Sequence, residues 1–479
     1  MRNSSPDTAV SEHGVRGISD TVVRGVLLTH PAPTMTELQA LLEVEAGPAP
    51  RLWVDASARA LESLVIARTR LDDIDGALEL IDAHFVGGRL RVRAAIATGT
   101  RSTLLSAVAE AYAAAGCPRR AGLYATAALA YADSPAVRYR AEAVRALAYA
   151  LNGEVAAARE AIDRCAGIAG TPPTPEHPCY VLLLAEILVA SADLDAVRLR
   201  RVAGNLYDHA RSDPHWIYTA RCAEAMAALG ARQYVEGLAL LSTLVGGADS
   251  LYSHAMVRGM ALGVLADTLL ARGESRRALA LLDGVPSPDE HALCFDMQRS
   301  SAYLALGRHR EVLEATDACI AMSQEHCLRT LTPLHVRRAI AYLRVSNLTA
   351  ARSSFEEAFR LGESLGRSLT PYLTLPREEL GTLLADVITH HPEWADAARD
   401  IRDRLYRMPT NDTPPLALTP REERLAALLR SPRTATQLSE ELRVSINTVK
   451  TQLRSIYGKL GVSSRADAVS SLEAYGFYV

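Results

Sequence analysis

Lysine is nearly missing from this chain. Of its 52 Lys and Arg residues, only Lys450 and Lys459 are lysine. A phosphate-binding P-loop needs a Gly-Lys-Ser/Thr whose ammonium group reaches the phosphates, and Schiff-base chemistry needs a lysine amine. Nothing before residue 450 can supply either. Aromatic residues are also scarce, at 5% of 479. Ala, Leu and Arg, all strong helix formers, are abundant, so an all-α fold is expected. The seven cysteines are scattered and never form a Cys-x-x-Cys pair, which suits reduced, buried thiols in a cytoplasmic protein. No N-terminal apolar run follows a basic stretch, so no signal peptide is expected. The longest apolar stretch, Val181–Ala192, is interrupted by Glu186 and falls short of the roughly 20 residues that span a bilayer.

Charge is unevenly placed. The whole chain carries −3, yet residues 416–479 hold nine Lys+Arg against six Asp+Glu, leaving 43 against 49 elsewhere. A basic C-terminal segment on a mildly acidic body suits a nucleic-acid reader joined to a module that does not bind nucleic acid.

Residues 1–33 are polar and read as a flexible segment. Thr34 and Glu37 form a capping box, predicting a helix to about Glu45 that Gly47–Pro50 ends. From about 55 to 405 the chain repeats a unit: an apolar helix, a small turn residue, then a second helix with Ala or Val five positions after the turn. The turn residues are Gly116, Gly153, Ser191, Gly230, Gly273, Gly307 and Ser346, at spacings of 34 to 43. A weaker copy lies at Asp72–Ala77. Such a period marks helical hairpins, each leaving an apolar face that only the next can cover. Residues 34–408 are therefore expected to form a stacked solenoid rather than a closed globule, and the pattern resembles degenerate tetratricopeptide repeats. Residues 409–417, with three prolines, Asn and Asp, read as a linker.

The segment 418–479 predicts four helices. Thr419 caps the first, with Pro420 in its first turn and Glu422 completing a capping box, and Leu425, Leu428 and Leu429 turn inward. Thr434 opens the second, which buries Leu438 and Leu442. After the turn at Arg443-Val444, Ser445 caps a third helix whose apolar face is Ile446, Val449, Leu453, Ile456 and Leu460. Its opposite face presents Asn447, Lys450, Thr451 and Arg454. Ser464 and Asp467 open a fourth. Two short helices, a tight turn and a third helix with polar side chains near its start match a unit that enters the major groove.

The strings LTPREERLAALL and SINTVKTQLRSIYGKLGVSSRADAV, in this spacing, resemble the LuxR-type DNA-binding domain. The resemblance implies base-facing roles for Lys450, Thr451 and Arg454. It implies backbone-facing or supporting roles for Asn447, Thr448 and Lys459, and a dimer contact through the fourth helix. Ser445, with Thr448 and helix-terminal amides, suits phosphates. Two departures stand out: Ser431-Pro432-Arg433 replaces a frequent Gly before the second helix, and Gln452 stands where His is frequent. LuxR-type tails are commonly joined to sensors. A receiver domain normally needs a lysine, and a nucleotide-binding module needs its P-loop lysine. What remains is similar to the helical-repeat arm of the large maltose-activator-like regulators without their ATPase.

Several other features have simpler readings. Gly362-Glu363-Ser364-Leu365-Gly366 fits the Gly-x-Ser-x-Gly hydrolase pattern, but no strand precedes it as a nucleophile elbow requires, and a helix-terminating turn is expected. His390-His391 reads as a helix end before Pro392. His291 with Cys294, and Cys319 with His326 and Cys327, have irregular spacings and read as buried thiols with surface imidazoles rather than metal ligands. Tyr112, Tyr124, Tyr131, Tyr139 and Tyr149 read as packing between hairpins.

The expected protein is a cytoplasmic bacterial transcription regulator, not an enzyme, with no cofactor and no catalytic or metal residues. Its expected partners are double-stranded DNA, a second copy of itself, RNA polymerase if it activates, and an unidentified small-molecule or protein effector on the repeats. The alternative is an interaction scaffold whose DNA-binding domain only tethers it.

Overall fold

The computed structural model describes residue 22 and residues 33–43, 50–91, 94–169, 178–210, 213–246, 253–366, 368–407, 418–474 and 477–478. Among these the chain is all-α, apart from a short antiparallel pair, β1 (Phe85–Val86) with β2 (Arg89–Leu90). The readings of 1–33 as flexible and of 409–417 as a linker fall outside the described residues, save that Val22 is buried.

Helix α1 (Met35–Leu42) begins at the expected box: the Thr34 side chain accepts from the Glu37 amide, and Glu37 accepts from the Thr34 amide at 2.8 Å. Eight hairpins follow. They pair α2 (Asp55–Arg70) with α3 (Ile74–His84), α4 (Thr98–Ala114) with α5 (Pro118–Leu129), α6 (Pro135–Asn152) with α7 (Val155–Ala169), and α8 (Tyr180–Asp193) with α9 (Ala196–His209). The series continues through α10 (Pro214–Gly230) with α11 (Tyr234–Gly246) and α12 (Ala255–Ala271) with α13 (Ser275–Leu281). It ends with α14 (Asp296–Ala305) and α15 (His309–Met322), then α16 (Leu328–Arg344) and α17 (Leu348–Leu365). Helices α18 (Arg377–His390) and α19 (Ala395–Arg407) close the array.

All eight turns share one construction. A single residue takes the left-handed conformation: Asp72, Gly116, Gly153, Leu194, Arg232, Gly273, Gly307 or Ser346. The next amide bonds to the carbonyl five residues before it, from Asp73 to Arg68 through to Asn347 to Tyr342, which is the Schellman cap. The residue five places after the left-handed one is buried every time: Ala77, Ala121, Ala158, Leu199, Gly237, Ala278, Val312 and Ala351.

Two turns correct the sequence reading. Ser191 lies inside α8, its hydroxyl donating to Leu188 O at 2.8 Å, and Leu194 makes the turn. Gly230 is the last residue of α10, and Arg232 makes the turn. Val235, five places after Gly230, is 45% exposed. A left-handed residue with a side chain costs about 1–2 kcal/mol, comparable to what the Schellman hydrogen bonds return. A small residue upstream therefore does not by itself decide where the helix stops.

The solenoid also winds back on itself rather than forming an open stack. His254 Nε2 bonds Arg70 O at 2.8 Å, and the Ala255 amide donates to Asp72 at 2.7 Å. Arg120 pairs with Glu290 at 3.0 Å, and Cys327 Sγ donates to Leu151 O at 3.1 Å. The Leu369 amide bonds Ala192 O at 2.9 Å. These contacts join residues 170 to 184 apart in the chain, so one superhelical turn takes between four and five hairpins. Gly153, at φ +88°, sits on this seam: a Cβ there would lie 2.7 Å from the Arg329 Cα. One large core runs from Val22 to Cys327, another from Leu304 to Ile401, and a third from Leu418 to Phe477.

Candidate nucleic-acid interface

The third core is enclosed by α20 (Pro420–Leu428), α21 (Ala435–Leu442), α22 (Ile446–Leu460) and α23 (Arg465–Ala474). Each start carries the cap read from sequence. Thr419 accepts from the Glu422 amide and Thr434 from the Gln437 amide, both within capping boxes. Ser445 accepts from the Thr448 amide at 3.1 Å, and Ser464 from the Asp467 amide at 3.1 Å. Arg443 takes the left-handed conformation at φ +54° between α21 and α22, and Gly461 does so at the end of α22.

Helix α22 is two-sided. Val449 and Ile456 are fully buried, and Leu453 and Leu460 are half-buried against the other helices. Ile446, expected on the same face, is 39% exposed because it lies in the first turn beyond the edge of the core. On the other side Asn447, Lys450, Thr451 and Arg454 are all exposed. Their positions follow i, i+3, i+4 and i+7, one face of a helix. Ser445 is exposed and Thr448 half-buried, with their hydroxyls 2.8 Å apart. The Thr451 hydroxyl donates to Asn447 O at 2.9 Å.

Lys459 has a different environment. Its ammonium donates to Glu422 Oε2 at 2.6 Å. The same carboxylate accepts from Ser455 Oγ at 2.6 Å and from the Thr419 amide at 2.6 Å. Burial by itself would raise the Glu422 pKa, but the bonds from Lys459, Ser455 and Thr419 outweigh it and hold it near 2. Glu422 thus serves twice, as cap of α20 and as anchor for the far end of α22, and Lys459 is its counter-charge. Its place in the capping box was legible in sequence; its bond to Lys459, 37 residues on, was not.

Arg465 holds the loop between α20 and α21. Its guanidinium donates to Leu429 O at 3.1 Å and Ser431 O at 2.6 Å, and also to Arg433 O. One side chain therefore satisfies three carbonyls of the loop where Ser431-Pro432-Arg433 departs from the expected pattern. An arginine at a helix start carried no signal for this, since its partners are set by how α23 crosses that loop.

The four-helix unit touches the array away from the α22 face. Arg277 of α13 donates to Phe477 O at 2.7 Å, its guanidinium 4.8 Å from the Phe477 ring centre. Glu423 of α20 is close enough to Arg276 and Arg277 to feel their charge.

Ser364 lies inside α17 with its hydroxyl donating to Leu361 O at 2.7 Å, and Gly366 caps that helix at φ +101°. No strand precedes it, so it is no nucleophile elbow. His391 bridges Glu356 and Glu393 at 2.9 and 3.2 Å, just past α18. Tyr112 stacks on Tyr124 with ring centres 5.4 Å apart. The reading of His326 as a surface imidazole is overturned: it is 0% exposed, because the chain between α15 and α16 turns inward under the 290–296 loop. It lies with His291, Cys294 and Cys319, donor atoms mutually within 4.8 Å, whereas Cys327 faces Leu151 instead.

Comparison with known proteins agrees with this geometry. Residues 416–472 match the family described as bacterial regulatory proteins, luxR family. The chain is also similar to the HTH-type transcriptional regulator MalT of Serratia proteamaculans, with 32% identity over 136 residues, 26% of this chain and 15% of that protein. The regulator of the same name from Klebsiella pneumoniae is 33% identical over 132 residues, 25% of this chain and 14% of that protein. The chain thus spans about 15% of the length of these relatives.

Proposed function

We propose that this chain, whose residues 416–472 form a LuxR-family domain, is a cytoplasmic transcription regulator that binds DNA sequence-specifically as a dimer, under the control of an effector on its helical array. The observation that carries the reading is the exposed row Asn447, Lys450, Thr451 and Arg454 on a helix whose other side is buried. From Asn447 to Arg454 the row runs about 10 Å along the axis, which fits a major groove about 12 Å wide.

Lys450 and Arg454 have the reach and charge for guanine N7 and O6. Thr451 offers a hydroxyl or a methyl to a neighbouring base. Ser445, Asn447 and Thr448, at the start of α22, suit a phosphate, where the helix dipole adds to their donors. Lys459 supports the domain through its ion pair with the buried Glu422. One recognition helix reads a half-site, so two copies would read a symmetric operator.

Two adjoining cavities in the array share Ser191, Arg329, Thr330 and Thr370 on otherwise mainly apolar walls. A small, largely apolar effector suits them. Because they lie on the seam between superhelical turns, such an effector would act on the winding. The contact from Arg277 to Phe477 leaves the α22 face exposed. That favours control through the placement of two domains in a dimer over direct covering of the recognition helix.

The test is genome-wide mapping of DNA bound by the full-length protein, beside the Lys450→Ala/Arg454→Ala variant. Discrete peaks that share a motif and vanish in the variant are expected. Lys450→Ala alone should weaken site binding by about 1–3 kcal/mol. Peaks that persist in the double variant would refute the assignment of these two side chains. A stoichiometric protein partner, with no affinity for DNA, would replace the regulator by a scaffold.

A further inference from the structure

We infer that His291, Cys294, Cys319 and His326 form a tetrahedral zinc(II) site that clips two loops together at the seam of the superhelix. The ligands come from the two ends of the α14–α15 hairpin. His291 and Cys294 lie in the loop before α14, Cys319 in the last turns of α15, and His326 just before α16.

The distances suit the metal. Zinc–thiolate bonds of about 2.3 Å at the tetrahedral angle put two sulfurs about 3.8 Å apart; Cys294 Sγ and Cys319 Sγ are 3.7 Å apart. His291 Nδ1 lies 3.6 Å from Cys319 Sγ, again a tetrahedral edge. All four donor atoms fall within 4.8 Å of one another, so the widest edge, which involves an imidazole nitrogen, needs to close by about 1.3–1.5 Å at most. Two thiolates and two imidazoles are the soft and borderline donors that favour zinc over calcium or magnesium.

A second observation points into the same space. His326 is 0% exposed, and its Nε2 has no hydrogen-bond partner of good geometry among the described residues. Its Nδ1 lies 2.9 Å from Cys327 O. A carbonyl can only accept, so Nδ1 carries a proton, and in the neutral imidazole the lone pair then sits on Nε2. This is the arrangement by which a backbone carbonyl fixes the tautomer of a metal-bound histidine. A buried imidazole nitrogen left without a partner would otherwise be costly. His291 is held in the left-handed conformation at φ +54°, with its carbonyl accepting from Thr330 Oγ1 at 2.7 Å. Asp296 Oδ2, 3.6 Å from Cys319 Sγ, is an outer-shell carboxylate whose other oxygen is bound by Arg299 at 2.8 Å.

The position gives the metal a role. Glu290, next to His291, pairs with Arg120 of the preceding superhelical turn, and its carbonyl accepts from the Cys327 amide at 2.9 Å. Cys327, next to His326, reaches Leu151 of that turn. Zinc at this point ties together the two loops that carry the turn-to-turn contacts.

The full-length protein, expressed with zinc in the medium and purified reduced without chelator, should carry about one zinc per chain. Cys319→Ser and His326→Ala should fall to background, whereas Cys222→Ser and Cys327→Ser, whose sulfurs lie outside the cluster, should keep their zinc. Cobalt(II) added to the chelator-stripped native protein should give thiolate-to-metal charge-transfer absorption and strong tetrahedral visible bands. This readout holds even if the ligand variants fail to fold. Native protein with no zinc and no cobalt–thiolate absorption would overturn the inference. So would a Cys294–Cys319 disulfide in protein purified under reducing conditions, or zinc kept by both ligand variants.

Discussion

Replacing Lys459 by methionine separates two roles that a lysine on the helix proposed to read DNA can have. Its ammonium bonds a Glu422 carboxylate whose side chain is 6% exposed, while the Lys459 side chain itself is 33% exposed. Methionine keeps most of the stem and removes the charge. The carboxylate then retains Ser455 and the Thr419 amide but loses its only ion-pair partner among the described residues. A buried acceptor deprived of one partner costs about 1–3 kcal/mol. The lower half of that range applies, because water reaches the partly exposed end of the pair. The domain should therefore lose about 1–2 kcal/mol in urea unfolding at neutral pH. The loss should shrink in acid. Glu422 is held near pKa 2 in the folded protein against 4.5 ordinarily. The stability it contributes is thus present above about pH 4.5 and is lost as pH falls toward 2. The matching DNA experiment measures the salt dependence of binding to a generic duplex by fluorescence anisotropy, under conditions where the variant is folded. Lys459→Met should leave the slope of log K against log salt unchanged, whereas loss of one phosphate contact lowers it by about one. Unchanged stability together with a reduced slope would refute the brace and place Lys459 on the DNA.

Three further perturbations test other parts of the argument. Glu62, 1% exposed and bonded by Thr103 at 2.7 Å, has its pKa pushed up to about 7 by burial. The folded state holds that proton where the unfolded state releases it, so stability should fall as pH rises from about 4.5 to 7. Glu62→Gln should remove that slope, and parallel pH–stability curves for the two proteins would contradict it. Gly153→Ala places a Cβ 2.7 Å from the Arg329 Cα at φ +88° and should cost at least about 1–2 kcal/mol in thermal unfolding; a neutral effect would mean the two superhelical turns do not meet there. Arg465→Ala strips three carbonyls of the α20–α21 loop of their donor and should cost about 2–3 kcal/mol, read by urea unfolding. Stability within about 0.5 kcal/mol of the parent would show that water replaces the guanidinium at no cost.

The local rules were readable in the chain and for a physical reason: they act over three to five residues. The capping boxes at Thr34 and Thr419, the helix starts at Thr434, Ser445 and Ser464, and the two-sided pattern of α22 all depend on neighbours along one helix. The hairpin period was legible because each repeat restates it. Tertiary structure decided what depends on residues far apart. It moved two turns to Leu194 and Arg232, because packing of the continuing helix outweighed a small residue upstream. It wound the array so that residues 170 to 184 apart touch, which small rotations per repeat accumulate to and no single repeat encodes. It gave Lys459 to Glu422 and Arg465 to three carbonyls, and it brought His291 and Cys294 to Cys319 and His326. Such pairings follow from where helices cross, and no spacing along the chain records a crossing.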